Sequence, residues 1–331
     1  MTPPGAFWKE KSVFVTGATG LVGSWLVRDL VDCGAKVVAL VLDADPYSEL
    51  YLSGCVQRVH VVNGRLEDYS TVERAIVAHE CDTIFHLGAQ AIVSVAQRSP
   101  LATLETNVRG TWNVLEACRL HGDLVKRVVV ASSDKAYGEN PTLPYTEEMP
   151  LQGRQPYEVS KSCADLIAQS YFHSYSLPVA VARCGNIFGG GDLNWTRIVP
   201  GTIRALYRGE APLIRSDGRY VRDYLYVKDV SCAYLSLAEH LSSKQVSGES
   251  FNFSPESQVA VLEIVDKIRR LMKCEHIQPN VLNLARGEIR NQYLSSEKSQ
   301  RILHWRAAYS LERGLAETID WYTKFFAEGR S

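Results

Sequence analysis

Metal-binding and disulfide motifs are missing from this sequence of 331 residues. Its eight cysteines form no C-x-x-C pair, and its eight histidines form no H-E-x-x-H motif or other paired metal-ligand spacing. The cysteines are scattered, and most of them have apolar neighbours: Cys33, Cys55, Cys81, Cys118, Cys163, Cys184, Cys232 and Cys274. We therefore expect no bound metal, and we expect buried free thiols of the kind found in a reducing compartment.

Long apolar runs and an excess of one charge are missing as well. No run approaches the roughly 20 apolar residues of a membrane-spanning helix. The first stretch, MTPPGAFWKEKSVFV, lacks the basic and apolar regions of a secretory signal. The formal net charge of -1 gives no electrostatic case for binding nucleic acid or an acidic membrane surface. These absences predict a cytoplasmic protein that binds neither nucleic acid nor a membrane.

Short apolar runs alternate with helical stretches through roughly residue 190. Six runs are typical of buried strands: SVFV, KVVALVL, RVHVV, TIFHL, RVVVA and PVAVARC. Helical patterns lie between them, for example over 70–79, 101–121 and 156–174. This order predicts an α/β protein with a doubly wound parallel sheet, the Rossmann fold.

The pattern changes after GNIFGGGD, where Pro, Gly and Arg become frequent. Farther on, SFNFS predicts a late strand, and residues 259–272 and 311–326 predict helices. We therefore expect one domain over residues 1–190, and a smaller mixed α/β lobe over residues 191–331 that is partly interleaved with it.

A glycine-rich turn, TGATGLVG, joins the first predicted strand to the first predicted helix. Gly17, Gly20 and Gly23 give it the spacing G-x-x-G-x-x-G. Glycines let a pyrophosphate approach the backbone, and the free N–H groups and positive dipole end of a helix N-terminus attract it. The motif predicts a dinucleotide cofactor in the first domain; the alternative is a plain glycine-rich turn.

The second predicted strand ends in VLDAD. An acid after this strand usually accepts hydrogen bonds from the ribose hydroxyls of adenosine, which favours NAD. Asp43 comes about two residues later than the usual position, which Val41 holds, and such an acid can also serve as a helix cap or loop residue. The sequence therefore favours NAD and leaves NADP open.

Tyr157 and Lys161 form Y-x-x-x-K at the start of a predicted helix, where side chains four residues apart share one face. A phenol has an ordinary pKa of about 10, and a nearby ammonium and an oxidised nicotinamide would lower it. With Ser133 upstream, the pair predicts a catalytic base; the alternative is a surface pair at a helix start.

The chain resembles the extended short-chain dehydrogenases/reductases that act on nucleotide sugars. The resemblance rests on TGATGLVG, FHLGAQ, ETNVRGT, SSDKAYG, YEVSK and RCGNIFGGGD, and continues through RDYLYVKDV to SSEKSQRILHW. It implies a nucleotide-diphosphate sugar as substrate for the smaller lobe. It also implies a homodimer formed through the helices at 101–121 and 156–174.

The resemblance also implies site residues. The catalytic set would be Ser133, Asp134, Lys135, Tyr157 and Lys161. The cofactor would be bound by Gly17, Thr19, Gly20, Leu21, Val22, Asp43, Leu66, Leu87, Gly88, Ala89, Asn107, Tyr157 and Lys161. The substrate would be bound by Gln90, Ser133, Asn186, Arg197, Arg222 and Arg290, with Asn186 and Arg222 on its diphosphate. An alternative for Arg222 is a salt bridge to Asp223 or Asp229, and His86 is expected to be a hydrogen-bonded strand-end residue.

Asp134 and Lys135 indicate which subgroup of this family the chain resembles. After the catalytic serine, 4-epimerases of this family resemble S-S-S-x-V-Y-G, whereas 4,6-dehydratases carry an acid and a base. The SSDK stretch most resembles the CDP-glucose 4,6-dehydratases. Ala18 and Val22 stand where that subgroup has His and Lys, and Arg65 replaces a usual Asp. The resemblance therefore implies the reaction type more directly than the nucleotide.

Dehydration explains why an acid and a base would follow the serine. Once C4 of the sugar is a ketone, the neighbouring C5 proton becomes acidic. The resemblance implies that Tyr157 takes the O4 proton, neutral Lys135 takes the C5 proton, and protonated Asp134 protonates the departing C6 hydroxyl before hydride returns to C6. A 4-epimerase, a dinucleotide-sensing binding protein, and a solvated Asp134–Lys135 ion pair on a loop remain the alternatives.

Overall fold

The computed structural model describes residues 5–284 and 288–330. Its strands are β1 (Ser12–Thr16), β2 (Lys36–Val41), β3 (His60–Asn63), β4 (Thr83–His86), β5 (Arg127–Ala131), β6 (Val179–Cys184), β7 (Asn186–Phe188), β8 (Leu213–Ile214), β9 (Val221–Tyr226), β10 (Ser250–Phe253), β11 (Gln258–Ala260), β12 (Asn280–Val281) and β13 (Asn291–Gln292). Its helices are α1 (Gly5–Trp8), α2 (Leu21–Asp32), α3 (Glu49–Leu52), α4 (Tyr69–Ala78), α5 (Val93–Arg98), α6 (Pro100–Leu104), α7 (Gly110–Leu120), α8 (Pro156–Tyr175), α9 (Ile198–Tyr207), α10 (Val227–Glu239), α11 (Val261–Leu271), α12 (Glu297–Leu303) and α13 (Leu311–Ala327).

Seven strands form one parallel sheet in the order β10-β6-β5-β4-β1-β2-β3. The chain starts at the centre with β1 and winds outward in both directions, so the predicted doubly wound sheet is confirmed. All six predicted strands and the late strand are present. That late strand, β10, pairs with β6 and so joins the sheet from beyond residue 190. The two-domain division stays a prediction.

Apolar side chains cover both faces of the sheet, as parallel strands require. On β1, Val13 and Val15 pack in one cluster with residues of α2 and α10, whereas Phe14 packs in the opposite cluster with residues of α4, α7 and α8. The alternation along a strand thus supplies both layers. As a result, a ligand can approach this sheet at the polar ends of its strands, which the two apolar layers do not cover.

A smaller sheet lies in the second half of the chain. Its central strand β9 lies between β11 and β13 and also pairs with β7. A third apolar cluster packs beside it and includes residues of α9, α11 and α13. This sheet brings residues 221–223 and 291–292 together, although about seventy residues separate them in the sequence.

Two helical regions differ from the sequence-based expectation. The predicted helix over 101–121 is divided into α6, a π-helical turn (Glu105–Arg109) and α7. Helices α9 and α10 were not predicted, because Pro200 and Gly201 made the first of them resemble a loop. Pro200 lies in the first turn of α9, where a missing N–H costs no helical hydrogen bond.

Among the residues that the structure describes, no helix is long and apolar enough to cross a membrane. Within the same residues, no group of three or more His, Cys, Asp or Glu side chains is arranged to hold a metal ion. The eight cysteines are free, and four are buried as expected: Cys55, Cys81, Cys118 and Cys184. Cys33, Cys163 and Cys274 are half-buried, and Cys232 is exposed.

Candidate active site

The candidate residues collect at one edge of the large sheet. Gly17 follows β1, Asp43 follows β2, residues 87–90 follow β4, residues 133–135 follow β5 and Asn186 follows β6. Because these strands are parallel, their carboxyl ends lie along the same edge. Open α/β sheets bind their ligands at this edge.

In the glycine turn, the backbone of Gly17 lies very close to the backbones of Gly88 and Gly23. Gly17 has φ +70°, and a Cβ there would lie 2.8 Å from the Gly88 Cα. A Cβ on Gly23 would lie 2.1 Å from the Gly17 carbonyl oxygen, so only glycine lets α2 pack on this turn. Gly20 is the exposed N-cap of α2, and it is less crowded than Gly17 and Gly23, since a Cβ there would meet only the Gly17 oxygen, in a tight contact at 3.2 Å.

This turn has the backbone cradle and free helix N-terminus that a pyrophosphate needs. Gly20 makes no side-chain hydrogen bond to cap α2, so no side chain of the described chain competes there for the first N–H groups. Three further cofactor candidates, Thr19, Leu21 and Val22, are half-buried in the same turn. The residues present therefore fit a dinucleotide.

The residues expected to lie around the adenosine end of the cofactor differ in their exposure to solvent. Asp43 is exposed and lies two residues beyond the end of β2. Leu66 is buried, and its Cδ1 would lie 2.8 Å from a Cβ on Gly88. Leu87 and Ala89 are half-buried at the end of β4. Arg65, which replaces a usual Asp, is 65% exposed at its side chain and pairs with Glu67.

His86 is a hydrogen-bonded strand-end residue, as expected. Its Nδ1 lies 2.9 Å from Thr16 Oγ1, and its Nε2 lies 3.0 Å from Thr111 Oγ1. Burial, and to a smaller extent the Lys161 charge, lower the pKa of His86 to about 3. Thr16 Oγ1 also accepts hydrogen bonds from the backbone N–H groups of Leu87 and Gly88, at 3.1 and 2.9 Å. A neutral His86 therefore holds the β1 and β4 ends together.

Ser133, Asp134 and Lys135 form a connected group that a 3-10 turn (Asp134–Tyr137) holds at the end of β5. Ser133 Oγ donates to Asp134 Oδ1 at 2.9 Å. Lys135 Nζ lies 3.3 Å from Asp134 Oδ1 and 3.2 Å from Oδ2. The Asp134 side chain is only 2% exposed and that of Lys135 is 20% exposed, so the pair is not a solvated loop pair.

Tyr157 and Lys161 are both buried on the first turns of α8, which begins with Pro156 and a capping box. Burial raises the pKa of Tyr157 to about 12, although a hydrogen bond with Ser133 lowers it. Burial lowers the pKa of Lys161 to about 8, and Asp165 partly opposes this. Lys161 Nζ donates to the Ala131 carbonyl at 2.9 Å. In the chain alone, burial therefore outweighs the Ser133 hydrogen bond and the Arg197 charge, both of which lower the pKa of Tyr157. The expectation that an ammonium and an oxidised nicotinamide together lower this pKa stays a prediction.

Asn107 connects the π-helical turn to this group. Its Oδ1 accepts from the Gln90 N–H at 2.7 Å, and its Nδ2 donates to the Gln90 carbonyl at 3.1 Å and to Ser160 Oγ at 2.9 Å. Ser160 Oγ in turn donates to the Tyr157 carbonyl at 2.7 Å. The extra residue of a π turn shifts which side chains face inward, which explains why Asn107 is buried here.

Four of the six candidate substrate-binding residues lie in the second half of the chain: Asn186, Arg197, Arg222 and Arg290. Asn186 is half-buried on β7 opposite Tyr224 of β9. Arg197 is the N-cap of α9, and its guanidinium lies 3.0 Å from Asp192. Arg290 is exposed and pairs with Asp217 at 3.9 Å.

Arg222 makes no salt bridge to Asp223 or Asp229 among the described contacts, so that alternative was wrong. Its Nη1 donates to the carbonyls of Val221 and Arg290, each at 2.8 Å, and its Nη2 donates to the Ile289 carbonyl. The side chain is buried, yet its charge faces only neutral acceptors in these contacts. Among the described residues the guanidinium therefore has no ion pair, and the centroid of the Tyr220 ring lies 5.7 Å from its Cζ.

Two buried residues at this site were missed. Gln292 of β13 is fully buried, and its Oε1 accepts from Lys135 Nζ at 2.6 Å. Asp223 of β9 is fully buried; its Oδ2 accepts from the Leu294 N–H at 3.2 Å, whereas its Oδ1 has no partner in the described chain. Burial and the Asp134 charge raise the pKa of Asp223 to about 6. Gln292 lies in none of the motifs named above, and Asp223 lies within RDYLYVKDV but was expected only as an alternative salt-bridge partner of Arg222. The smaller sheet brings both residues to the acid–base pair.

Comparison with known protein families gives a match over residues 14–318, to the family described as GDP-mannose 4,6 dehydratase. Among curated proteins, a CDP-glucose 4,6-dehydratase of Salmonella typhimurium is 30% identical, with 96% of this chain and 91% of that protein covered. A dTDP-glucose 4,6-dehydratase of Xanthomonas campestris is 29% identical, with 93% and 92% covered.

Solved structures similar to this chain include both dehydratases and epimerases. The dTDP-glucose 4,6-dehydratase DesIV of Streptomyces venezuelae, with NAD and TYD bound, has a TM-score of 0.85 at 26% identity over 96% of this chain and 98% of that one. A UDP-glucose 4-epimerase of Thermotoga maritima, with UDP-glucose, has a TM-score of 0.86 at 26% identity over 95% and 99%. Backbone similarity thus does not separate the two reactions, and the side chains must.

Proposed function

The chain belongs to the GDP-mannose 4,6 dehydratase family, and from this membership we propose that it is an NAD-dependent nucleotide-sugar 4,6-dehydratase whose substrate is CDP-glucose or a close analogue. The observation that carries the proposal is the buried Asp134–Lys135 contact beside Ser133. Inversion at C4 needs only oxidation and reduction at one carbon. Loss of water needs an acid and a base directed at the next two carbons.

The proposed NAD site is the glycine turn, with Gly17, Gly20 and Gly23 against the pyrophosphate and Asp43 toward the ribose. The NAD bound to the related DesIV supports this assignment. When bound, NAD takes up and returns the hydride of the reaction. The positive charge of its oxidised ring would also lower the phenol pKa that burial raises.

In the proposed oxidation, Tyr157 accepts the proton of the 4-hydroxyl. Lys161 fixes the position of the neighbouring β5 end through its hydrogen bond to Ala131. Asn107 and Ser160 fix the backbone of Tyr157 in the same way. The backbone of the proton acceptor and the adjoining strand end are therefore fixed before a substrate arrives, which reduces the reorganisation that the reaction requires.

In the proposed elimination, neutral Lys135 removes the C5 proton and protonated Asp134 gives a proton to the departing C6 hydroxyl, which leaves as water. The pair thereby passes from two neutral groups to an ammonium and a carboxylate. Lys135 then returns its proton to C5 as hydride reaches C6.

The proton balance assigns a further role to Ser133. Over one turnover Tyr157 has gained the O4 proton, and Asp134 has lost one to water. One proton must therefore move from Tyr157 to Asp134 before the next turnover. Ser133 contacts both groups, and its hydroxyl donates to Asp134 at 2.9 Å, so we assign this transfer to it.

The substrate would lie between the sheet edge and the second half of the chain. We propose that Arg222 and Asn186 hold its diphosphate, with Arg197 and Arg290 nearby and Gln90 toward the sugar. Support comes from Arg222, whose charge is buried among neutral carbonyls. An anion would compensate that charge, and a planar guanidinium suits two phosphate oxygens.

We also propose that the protein is a cytoplasmic homodimer. All eight cysteines are free, which is typical of a reducing compartment. Four apolar side chains are exposed on helices α6, α7 and α8: Leu101, Leu104, Trp112 and Leu166. Helices α6 and α7 both pack against α8. A second copy would cover these side chains.

Mass analysis of separate incubations with CDP-glucose, dTDP-glucose, UDP-glucose and GDP-mannose tests the proposed function. One of them should lose water and become a 4-keto-6-deoxy sugar nucleotide. In deuterated water the product should carry deuterium at C5. Inversion at C4 with the 6-hydroxyl retained and no label at C5 would instead make the protein an epimerase.

A further inference from the structure

Gln292 reaches the acid–base pair from the other sheet of the protein. Its Oε1 accepts from Lys135 Nζ at 2.6 Å, and its Nε2 donates to the Asp134 carbonyl at 3.0 Å. Both polar ends of the carboxamide are therefore used on two consecutive residues of the turn. Because only Nε2 can donate to a carbonyl, the bond to Asp134 commits Oε1 to Lys135.

Rigid structure surrounds this carboxamide. Gln292 is fully buried, and its strand β13 pairs with β9 in a register that places it opposite Arg222. Its position is fixed before any ligand binds. A flexible lysine side chain that contacts such an acceptor loses freedom at its charged end.

The contact matters most in the reactive state. While Asp134 is a carboxylate and Lys135 an ammonium, their charges hold them together. Once Lys135 has returned its proton to C5 and Asp134 has regained one from Tyr157 through Ser133, both groups are neutral, and that attraction disappears. A neutral amine still has two N–H groups, so Gln292 Oε1 can continue to accept one of them.

We propose that Gln292 is a positioning residue that holds Lys135 Nζ in place for removal of the C5 proton. This rests on the proposed function, because it assigns a task only within the elimination. Gln292 has no part in the oxidation at C4, which uses the residues around Tyr157. The two half-reactions should therefore respond differently to its loss.

Three substitutions separate positioning from general damage. Gln292→Leu keeps the approximate size and removes the acceptor. Gln292→Asn shortens the side chain by one methylene and withdraws the acceptor by roughly 1 Å, a displacement that can cost about 10²-fold in rate. Gln292→Glu keeps an acceptor but adds a charge that favours the ammonium form of Lys135.

The matched control is Gln258→Leu. Gln258 lies on β11, the strand on the opposite side of β9, and it is exposed. It has no contact with the acid–base pair in the described structure.

The substrate for the test is the sugar nucleotide that the wild type converts in the panel above. In Gln292→Leu and Gln292→Asn, reduction of bound NAD in a single turnover should stay within about threefold of wild type, and kcat for water loss should fall about 10–100-fold with little change in KM. The kinetic isotope effect with the C5-deuterated substrate should rise, because C5–H cleavage becomes slower than the other steps. A purely structural effect would not raise it.

The pH profile supplies a second readout. Base catalysis by Lys135 requires the neutral amine, so the acidic limb of the profile for water loss should move to higher pH in Gln292→Glu. The other ionisable groups around the pair are unchanged in this variant. Asp223 faces both Lys135 and Asp134, and Tyr145, Tyr157 and Cys184 face Asp134. Arg222 lies opposite residue 292 in the register of β13 and β9. Gln258→Leu should keep the wild-type profile.

The outcomes are distinct. If the wild type dehydrates its substrate and all three Gln292 variants match Gln258→Leu in rate, isotope effect and pH profile, the positioning role is wrong and the proposed function stands. If the wild type dehydrates none of the four sugar nucleotides, the proposed function fails and the role of Gln292 falls with it. Should Gln292→Leu fail to fold, as judged by thermal unfolding, Gln292→Asn and Gln292→Glu decide by the same measurements.

Discussion

The Ser133 hydroxyl donates a hydrogen bond to Asp134 Oδ1 across 2.9 Å, and a hydrogen bond with Ser133 also lowers the pKa of the Tyr157 phenol. One small side chain thus links the residue proposed for oxidation with the acid proposed for water loss. The two half-reactions use different groups within one connected set. Substitutions can therefore stop one half and leave the other running.

Removal of Lys135 should separate the half-reactions. Lys135→Ala should still reduce bound NAD with a suitable sugar nucleotide, because Tyr157, Lys161 and Ser133 remain. Water loss should fall about 10²–10⁴-fold, the usual cost of one acid–base group. Stopped-flow absorbance of the reduced nicotinamide and mass analysis of the product measure the two halves. The exposed Lys126→Ala is the control; unimpaired water loss in Lys135→Ala would exclude Lys135 as the base.

Tyr157→Phe should stop both halves at the first step. The ring stays and only the buried hydroxyl is lost, so thermal unfolding should change little. Turnover should drop about 10²–10⁴-fold, and binding of the sugar nucleotide by calorimetry should survive. Tyr175→Phe, at the exposed end of the same helix, should behave as wild type. Near-normal turnover in Tyr157→Phe would remove Tyr157 from the mechanism.

Gly20→Val should block the cofactor without disturbing the fold. A Cβ at this position meets only the Gly17 carbonyl oxygen, at 3.2 Å, so the apoprotein accommodates it with a shift of a few tenths of an ångström. A pyrophosphate that contacts the turn would not. The Kd for NAD should rise roughly tenfold or more, equivalent to about 1.4 kcal/mol. Gly122→Val, in a surface turn where a Cβ meets only Arg119 O at 3.5 Å, is the control. A folded Gly20→Val protein with unchanged NAD affinity would place the cofactor elsewhere.

Asp223 should make stability depend on pH. Burial, and then the Asp134 charge, raise its pKa in the folded state to about 6, from 3.8. The unfolded chain therefore releases this proton first, so the group's stabilisation is complete below about pH 4 and disappears as pH rises through about 6. The shift corresponds to an order of 3 kcal/mol in the free energy of unfolding. Urea unfolding across this range should show a smaller decline for Asp223→Asn than for wild type, whereas the exposed Asp320→Asn should keep the wild-type decline. Equal declines in all three proteins would contradict the assignment.

Leu166→Glu should dissociate the proposed homodimer. Leu166 is 54% exposed on α8, and a dimer would bury an unpaired carboxylate in its place. Such a burial costs several kcal/mol, so the dimer Kd should rise about 100-fold or more. Size-exclusion chromatography with light scattering gives the mass. Leu213→Glu, 50% exposed on β8, is the control. A wild type that runs as a monomer would exclude the dimer directly.

The sequence by itself determined the large sheet and the chemistry along its edge. The six apolar runs, the glycine turn and the Y-x-x-x-K pair are local patterns, and each depends on neighbours within a few residues. The parallel order follows from the alternation with helices, since a parallel connection needs a crossover. Ser133, Asp134 and Lys135 are adjacent to a strand end, so their meeting with the other strand ends follows from the same order.

Only the tertiary structure decided which residues position the candidate catalytic side chains and how far those side chains are buried. Gln292 meets Lys135 through pairing between β13 and β9, and no periodicity along the chain encodes that partner. The π-helical turn around Asn107 likewise arises from packing, because its sequence has the spacing of an ordinary helix. Burial decided the ionisation of Tyr157, Lys161 and Asp223. Solvent exclusion is a property of the assembled fold, and sequence spacing alone gives no measure of it.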